Sequence, residues 1–270
     1  MALNNPAFRN EAFNSQGAVA AAQNISAQQL DEIYNRPSAP DRGDVMTVEN
    51  TIQKTVFTFA VLLAGAAVGW ITAPAVPFLW IGAGLVGFVL ALVNIFKKEP
   101  SAPLILAYSA AQGVFVGGIS AFYEQQFPGI VLQAVIATFV VVGVTLALFA
   151  SGKIRASKRA TKIFLIAMIG YAVFSLINVG MMIFGAADGA FGMRSSTISI
   201  AGFDIKLGLI IGVLAVLLAA YSLVLDFDFI QKGVNNRAPR KYGWTAAFGI
   251  MVTVVWLYVE MLRIFMIARE

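Results

Sequence analysis

The sequence predicts an all-α integral membrane protein, a bundle of seven transmembrane helices with a flexible N-terminal tail. Of its 270 residues, 59% are hydrophobic and 12% are charged, and the mean hydropathy is +0.79, which exceeds the apolar character of a soluble domain. Seven apolar runs follow one another, each near the ~20 residues that cross the hydrocarbon core of a bilayer. Basic residues collect in the tail and in alternate connections. We therefore divide the chain into a cytoplasmic tail, 1–50, and a seven-helix transmembrane domain, 51–270.

The tail is rich in Asn, Gln, Ser, Ala and Pro and carries charges of both signs. Such a segment cannot bury enough apolar surface to offset the entropy of ordering it, so we expect it to be flexible. It also lacks the apolar core of a signal peptide, and targeting is expected to rest on the first spanning helix. Thr47 is a suitable cap for that helix, because its hydroxyl can accept a hydrogen bond from a free amide of the first turn.

The seven apolar runs are separated by proline and glycine, which favour helix ends. Their predicted bounds are Thr51–Thr72, Val76–Phe96, Ala102–Tyr123, Ile130–Ala150, Ala160–Phe184, Leu207–Ile230 and Gly243–Ala268. Gly233 is expected to stop the sixth helix. Most connections are short, but residues 185–206 are rich in Gly and Ser and have room for a small hairpin.

The distribution of basic residues predicts orientation. Lysines and arginines of the tail and of the second, fourth and sixth connections number fourteen: Arg9, Arg36, Arg42, Lys97, Lys98, Lys153, Arg155, Lys158, Arg159, Lys162, Lys232, Arg237, Arg240 and Lys241. The opposite side has Arg194, Lys206 and Arg269. Because cytoplasmic loops carry the excess of Lys and Arg, the N-terminus is expected in the cytoplasm and the C-terminus outside.

Composition excludes several classes of function. Cysteine and histidine are both absent, which removes disulfides, thiolate chemistry, histidine-ligated metals, haem and the usual general base. We expect no enzymatic activity and no cofactor. The net charge of +5 does not indicate nucleic-acid binding, since the basic residues lie between apolar runs and not in one patch interleaved with aromatic residues. The expected partner is the lipid bilayer, and the sequence identifies no protein partner.

Two aspartates interrupt the sixth run. Asp226 and Asp228 are the only charged residues of Leu207–Ile230, and a carboxylate inside a membrane normally faces a cavity or a partner. Two residues apart on a helix, they point about 200° away from one another. Asp228 is expected to pair with Lys232 at i+4 or to reach the interface. Asp226 is the main candidate for a pH sensor on an ion pathway and for a ligand of a hard cation such as Ca²⁺.

Glu260 is the other acid inside a predicted helix. It lies about 27 Å along the seventh helix, so it is expected near the outer face and far from Asp226. Arg263 at i+3 offers it a local partner. Glu260 is a second candidate for the ion pathway, with a local salt bridge as the alternative interpretation.

Small and polar residues inside the runs indicate how the helices meet. Gly65–Gly69 and Gly113–Gly117 each form a G-x-x-x-G step, which lets two helix backbones approach closely, and we interpret both as packing contacts. Gln112 and Asn178 are polar positions within spans. They are expected to form interhelical hydrogen bonds, or else to line a polar pathway.

Three stretches, NPAFRN, LVLDFDFI and VTVVWLYVEMLRIF, resemble the Bax inhibitor-1 family, also called the transmembrane Bax inhibitor motif proteins. The likeness is to the bacterial Bax inhibitor-1/YccA-like branch in particular. It implies a seven-helix bundle in the bacterial inner membrane, and a pH-sensitive calcium leak that is gated by a pair of aspartates in helices 6 and 7. Asp226 matches the first aspartate of that pair.

The second member of the pair has two candidates. When LYVE is matched to the family's leucine-tyrosine-leucine-aspartate element, Glu260 is the acid, and 34 residues separate it from Asp226. When the terminal leucine-arginine-isoleucine run is matched instead, Thr253 stands in the aspartate's place, 27 residues from Asp226 and closer to its depth.

Three functions follow from these observations. The first is a pH-sensitive cation leak channel, for Ca²⁺ in particular, with the helix 6 aspartate as sensor. The second is a proton-coupled transporter of small solutes, in which Asp226 carries the proton. The third is a non-conducting scaffold of the membrane stress response, acting through the tail and the basic loops.

Overall fold

A computed structural model describes residues 45–76, 78–186, 191–200 and 203–269. Within these ranges it contains seven long helices: α1 (Val48–Thr72), α2 (Leu79–Phe96), α3 (Ala102–Gln126), α4 (Ile130–Ala150), α5 (Lys158–Ile183), α6 (Leu207–Asn235) and α7 (Tyr242–Arg269). All seven are long and apolar enough to cross a membrane. The prediction of a seven-helix membrane protein is confirmed. Most of the predicted flexible tail, 1–44, lies outside the described residues.

The first and last helices begin side by side. Thr47 caps α1 as predicted, and its hydroxyl accepts a hydrogen bond of 3.1 Å from the amide of Asn50. The amide of Met46 donates to the carbonyl of Ala238, 2.7 Å away, in the connection that leads into α7. Lys54 of α1 reaches the carbonyl of Arg240 in the same connection, at 2.5 Å. The start of the bundle is thus fixed to the connection between α6 and α7.

The two predicted glycine steps lie at the crossing of α1 and α3. A Cβ added at Gly65 would lie 2.6 Å from the carbonyl oxygen of Ala110, and one added at Gly117 would overlap the backbone of Ala66. The backbones are therefore in direct contact, as small residues allow. The interpretation of both steps as packing contacts is confirmed.

The core of the bundle lies around α3 and α7. One apolar cluster joins α1, α3 and α7 and includes Leu62, Tyr108 and Met251, with the ring of Tyr108 edge-on to Phe248 at 5.0 Å. A second joins α7 to α3, α4 and α6. In contrast, Gly87 is the only buried residue of α2, so the apolar surface of this peripheral helix faces lipid in a membrane.

The connection between α5 and α6 holds a short 3-10 helix, Gly192–Ser195, and two antiparallel strands, β1 (Thr197–Ile200) and β2 (Phe203–Lys206). Thr197 lies opposite Lys206, and Ile198 lies opposite Ile205. The predicted hairpin in this connection is confirmed.

The predicted end of the sixth helix is wrong. The sixth helix continues past Ile230 to Asn235, and Gly233 lies inside it and does not stop it. The reason is tertiary packing. A Cβ at Gly233 would lie 2.8 Å from the sulfur of Met46, a side chain that is only 1% exposed. Gly233 therefore makes room for a neighbour, and Asp226 lies nine residues before the helix end.

Candidate functional site

Asp226 belongs to α6, and its side chain lies at the contact between α6 and α7, which we call the seam. One carboxylate oxygen, Oδ2, accepts a hydrogen bond of 2.9 Å from the hydroxyl of Thr253. The other, Oδ1, packs against Gly249, where an added Cβ would lie only 2.7 Å from it. Gly249 and Thr253 are four residues apart and share one face of α7. On this face, Gly249 leaves space for the Asp226 carboxylate and Thr253 donates a hydrogen bond to it.

A second hydroxyl extends the contact. Ser222, one turn before Asp226 on α6, lies 3.2 Å from the Thr253 hydroxyl. Because a hydroxyl has one proton and Thr253 gives its proton to Asp226, Ser222 is the donor to Thr253. The result is a chain of hydrogen bonds, Ser222 to Thr253 to Asp226, that crosses the seam between the two helices.

No cation balances Asp226 within the described part of the chain. The ion pairs found there involve other acids, and the same residues contain no cluster of three or more His, Cys, Asp or Glu side chains that could hold a metal ion. The predicted cation ligand thus has the Thr253 hydroxyl beside it and the Ser222 hydroxyl one hydrogen bond further away, with no second carboxylate shown next to it among the described residues. Ca²⁺ takes six to eight oxygen ligands, so these side chains do not form a closed calcium cage.

Asp228 points to another side of α6, as its spacing predicts. Its carboxylate pairs with Lys232 at 2.6 Å, and the side chains are 18% and 69% exposed. The predicted i,i+4 pair is confirmed. Asp228 is thereby satisfied on its own helix, and the described structure shows no contact between it and the Asp226 hydrogen-bond chain.

Glu260 lies in a separate ion cluster, near the other end of α7. Its carboxylate pairs with Arg194 at 2.9 Å, and both side chains are buried, at 1% and 4% exposure. Arg263 binds the second oxygen from i+3, as predicted, and the Tyr171 hydroxyl donates to that oxygen at 2.8 Å. Thr253, and not Glu260, therefore lies beside Asp226, in agreement with the alignment of the terminal leucine-arginine-isoleucine run.

The sequence did not identify Arg194 as the partner of Glu260. Arg194 lies in the 3-10 helix, and its guanidinium also contacts Ser175 at 3.3 Å and the rings of Tyr171 and Phe174, with centroids at 5.3 and 5.7 Å. One signal was present in the sequence. Arg194 is the only basic residue of the Gly- and Ser-rich connection before β2, on the side of the membrane where Glu260 was expected.

The two polar candidates lie elsewhere. Asn178 holds the loop after α5, because its amide donates to the carbonyl of Phe191 at 3.1 Å and accepts from the amide of Met193 at 2.8 Å. Gln112 lines a cavity of about 310 Å³ between α2 and α3. Its Oε1 is buried and has no hydrogen-bond partner among the described residues. Neither side chain has a contact with Asp226 in that part of the structure.

Seven membrane-spanning helices, with one carboxylate held at the seam of the last two, define a multi-pass helical membrane protein with an intramembrane acid. The family model described as Bax inhibitor 1 like matches residues 5–270. The chain therefore belongs to the Bax inhibitor-1 family. No curated protein matches it.

Proposed function

We propose that this protein is a pH-sensitive leak pathway for cations, Ca²⁺ in particular, and that Asp226 is its sensor. The observation that carries the proposal is the setting of Asp226, a carboxylate between two membrane helices whose described neighbours are hydroxyls and glycine, with no basic side chain. An acid inside a membrane segment commonly marks an ion or proton pathway.

The two charge states of Asp226 would act differently at this seam. A protonated carboxyl is neutral, accepts the hydrogen bond from Thr253 and leaves α6 and α7 packed through Gly249. An ionised carboxylate in the same place has no countercharge from the described chain, so it favours water and cations over the apolar interface. Ionisation would therefore loosen the seam and attract cations.

The oxygen atoms near Asp226 are better suited to letting a Ca²⁺ ion pass than to holding it in a stable site. One carboxylate and two hydroxyls supply fewer oxygens than a resting Ca²⁺ site needs, so a passing ion would keep most of its water. Conduction requires binding that is weak enough for the ion to leave again. We accordingly propose transport and no catalysis, and this fits the absence of histidine and cysteine.

The decisive experiment is Ca²⁺ flux into liposomes that contain the purified protein, measured from about pH 5 to about pH 9. We expect the flux of the parent protein to rise with pH as Asp226 ionises. Asp226→Asn keeps the size and polarity of the side chain but cannot ionise, so its flux is expected to be low and independent of pH. The expected loss at the alkaline end is about tenfold or more, since one nearby charge attracts a cation by over 1.4 kcal/mol.

Asp228→Asn is the matched control. It makes the same change two residues away, at an acid already paired with Lys232, and should leave the pH profile of the flux unchanged. An equal effect of both substitutions would argue against a sensor at Asp226. If the folded parent protein conducts no cation at any pH, the leak is excluded. Proton uptake that depends on Asp226 would then favour the proton-coupled transporter, and its absence would favour the non-conducting scaffold.

We also infer that the protein lies in the inner membrane of a bacterium with its N-terminus in the cytoplasm. The structure supports a common side for the basic connections, since Lys241 before α7 pairs at 2.8 Å with Glu99, which lies between α2 and α3. That hydrogen bond lowers the pKa of the Glu99 carboxyl. Cytoplasmic loops carry the basic excess in most membrane proteins.

A topology reporter tests this orientation. An enzyme that is active only outside the cytoplasm should give signal when it is fused after Glu270, and none when it is fused after Lys158, because an odd number of spans separates the two sites. A signal after Lys158 with none after Glu270 would invert the orientation without changing the fold.

A further inference from the structure

A groove of about 540 Å³ lies between the start of α5 and the last turns of α6. Its mouth carries Ser157, Lys158 and Lys162 from the α5 side and Lys232 and Asp228 from the α6 side. This end of the bundle is the one with the basic connections. The groove is separate from the Asp226 seam, and none of its basic residues contacts the Ser222–Thr253–Asp226 chain in the described structure.

The mouth of the groove has unbalanced positive charge. Lys158 and Lys162 are four residues apart, so they lie on one face of α5, where like charges repel. Neither makes an ion pair within the residues that the structure describes. Lys232 is paired with Asp228 but keeps 69% of its side chain exposed. The first turn of α5 adds the positive end of the helix dipole, with Ser157 as its cap.

The groove continues as an apolar wall. Leu165, Ile166 and Ile169 follow Lys162 at i+3, i+4 and i+7, so they extend the face that carries the lysines. Their exposed fractions are 52%, 62% and 64%, and Leu225 of α6 lines the opposite side. A cationic mouth thus leads into a hydrocarbon-lined trough that runs toward the middle of the membrane.

The α5 helix, which carries this apolar wall, buries little of its surface against the rest of the bundle. Phe164 and Asn178 are the only buried residues of α5 in the described structure. Near the groove, the helix is held to α6 by the rings of Phe164 and Tyr221, 5.3 Å apart, and by the hydroxyls of Thr161 and Tyr221 at 3.1 Å. Between these contacts and Asn178, the apolar flank of α5 has room for a lipid chain.

We propose that this groove binds an anionic phospholipid of the leaflet on the side of the basic connections. The phosphate lies at the mouth between Lys158 and Lys162, where the lysines and the start of α5 supply positive charge. An acyl chain lies along Leu165, Ile166 and Ile169. The apolar wall favours a lipid as the occupant, because a lipid can bury the three exposed aliphatic side chains and a free phosphate ion cannot.

In the test, lipid is titrated into the purified 270-residue chain, and the bound lipid is measured by native mass spectrometry. Phosphatidylglycerol and phosphatidylcholine with identical acyl chains are the two probes. We expect the parent to retain phosphatidylglycerol more strongly. The double variant Lys158→Gln/Lys162→Gln should weaken phosphatidylglycerol binding by roughly thirtyfold, because each lysine near an anionic headgroup contributes about fivefold. Its binding of phosphatidylcholine should stay unchanged.

Lys97→Gln/Lys98→Gln is the control matched in charge, because both lysines lie in the connection between α2 and α3, at the same end of the bundle but outside the groove. It should change phosphatidylglycerol binding by less than about twofold. An equal loss in both double variants would overturn the proposal in favour of general attraction to the basic surface. Both groove lysines are exposed and have no ion pair among the described residues, so the variants should fold, and their thermal unfolding verifies this.

A second pair of measurements separates a lipid from a free anion. Ile166→Ser/Ile169→Ser should weaken the binding of phosphatidylglycerol, and excess inorganic phosphate should fail to displace the lipid from the parent. Displacement by phosphate, or full binding by the isoleucine variant, would show an anion site in place of a lipid site. The chain lacks cysteine, so a single Ile169→Cys carrying a fluorophore gives a direct readout through quenching by a brominated phosphatidylglycerol.

Discussion

Glu260→Gln is expected to destabilise the protein by about 3–5 kcal/mol, the usual cost of removing one partner from a buried ion pair. Glu260 is 1% exposed and faces two arginines, and one of them, Arg194, is itself 4% exposed. Glutamine keeps the shape of the side chain but not its charge. The substitution therefore leaves two guanidinium groups inside the bundle with no carboxylate to balance them.

The measurement is the free energy of unfolding in detergent. Unfolding is monitored by tryptophan fluorescence during a denaturant titration. Trp256 lies close to the cluster, since its ring is 5.7 Å from that of Tyr171. Glu99→Gln is the control, because Glu99 is 68% exposed in its pair with Lys241, and an exposed pair of this kind contributes far less to stability than a buried one. Similar losses in both variants would mean that burial of the Glu260 pair has no energetic consequence.

A double-mutant cycle then isolates the Arg194–Glu260 pair. If the two side chains stabilise the fold through one another, Arg194→Gln/Glu260→Gln should lose less stability than the sum of the single variants. Additive losses would instead assign each side chain to other contacts, such as those of Arg194 with Ser175. The cycle also reports how firmly the connection before α6 is fixed to α7.

The sequence predicted those features that depend on the local order of residues. The starts of α3, α4 and α6 are as predicted, because hydropathy and the adjoining turn residues decide them together. Helix geometry correctly predicted that Asp226 and Asp228 face different sides of α6 and that Asp228 pairs with Lys232. It also predicted the pair of Glu260 with Arg263, since the partners in both pairs are about one helical turn apart.

Contacts between distant segments were the part that the sequence left open. Arg194 is 66 residues from Glu260, and no periodicity relates a loop residue to a helix face. Gly233 was interpreted as a helix stop because the sequence does not show that Met46 packs against it. Thr253 was found by matching the terminal leucine-arginine-isoleucine run to the family resemblance, and its depth along α7 favoured it over Glu260. Its i,i+4 relation to Gly249, facing Ser222 and Asp226, is the local pattern that would have strengthened that choice.

Gly117→Ala is expected to have the second large effect, a loss of about 2–3 kcal/mol of unfolding free energy, in the range of overpacked cores. The added methyl group would overlap the carbonyl group of Ala66 on α1. Backbone cannot rotate away as a side chain can, so the two helices would have to separate. That movement also disturbs the contact between Gly65 and Ala110 along the same crossing.

Gly143→Ala supplies the comparison, because Gly143 lies inside α4 and a Cβ there meets nothing within 4 Å. The same substitution at this open position should leave stability unchanged or raise it by up to about 1 kcal/mol, since alanine favours helix more than glycine does. Opposite signs for the two variants in one denaturant titration would assign the loss to the α1–α3 contact. A stable Gly117→Ala protein would mean that the two helices can move apart without cost, and the glycine steps would then have no role in holding the bundle together.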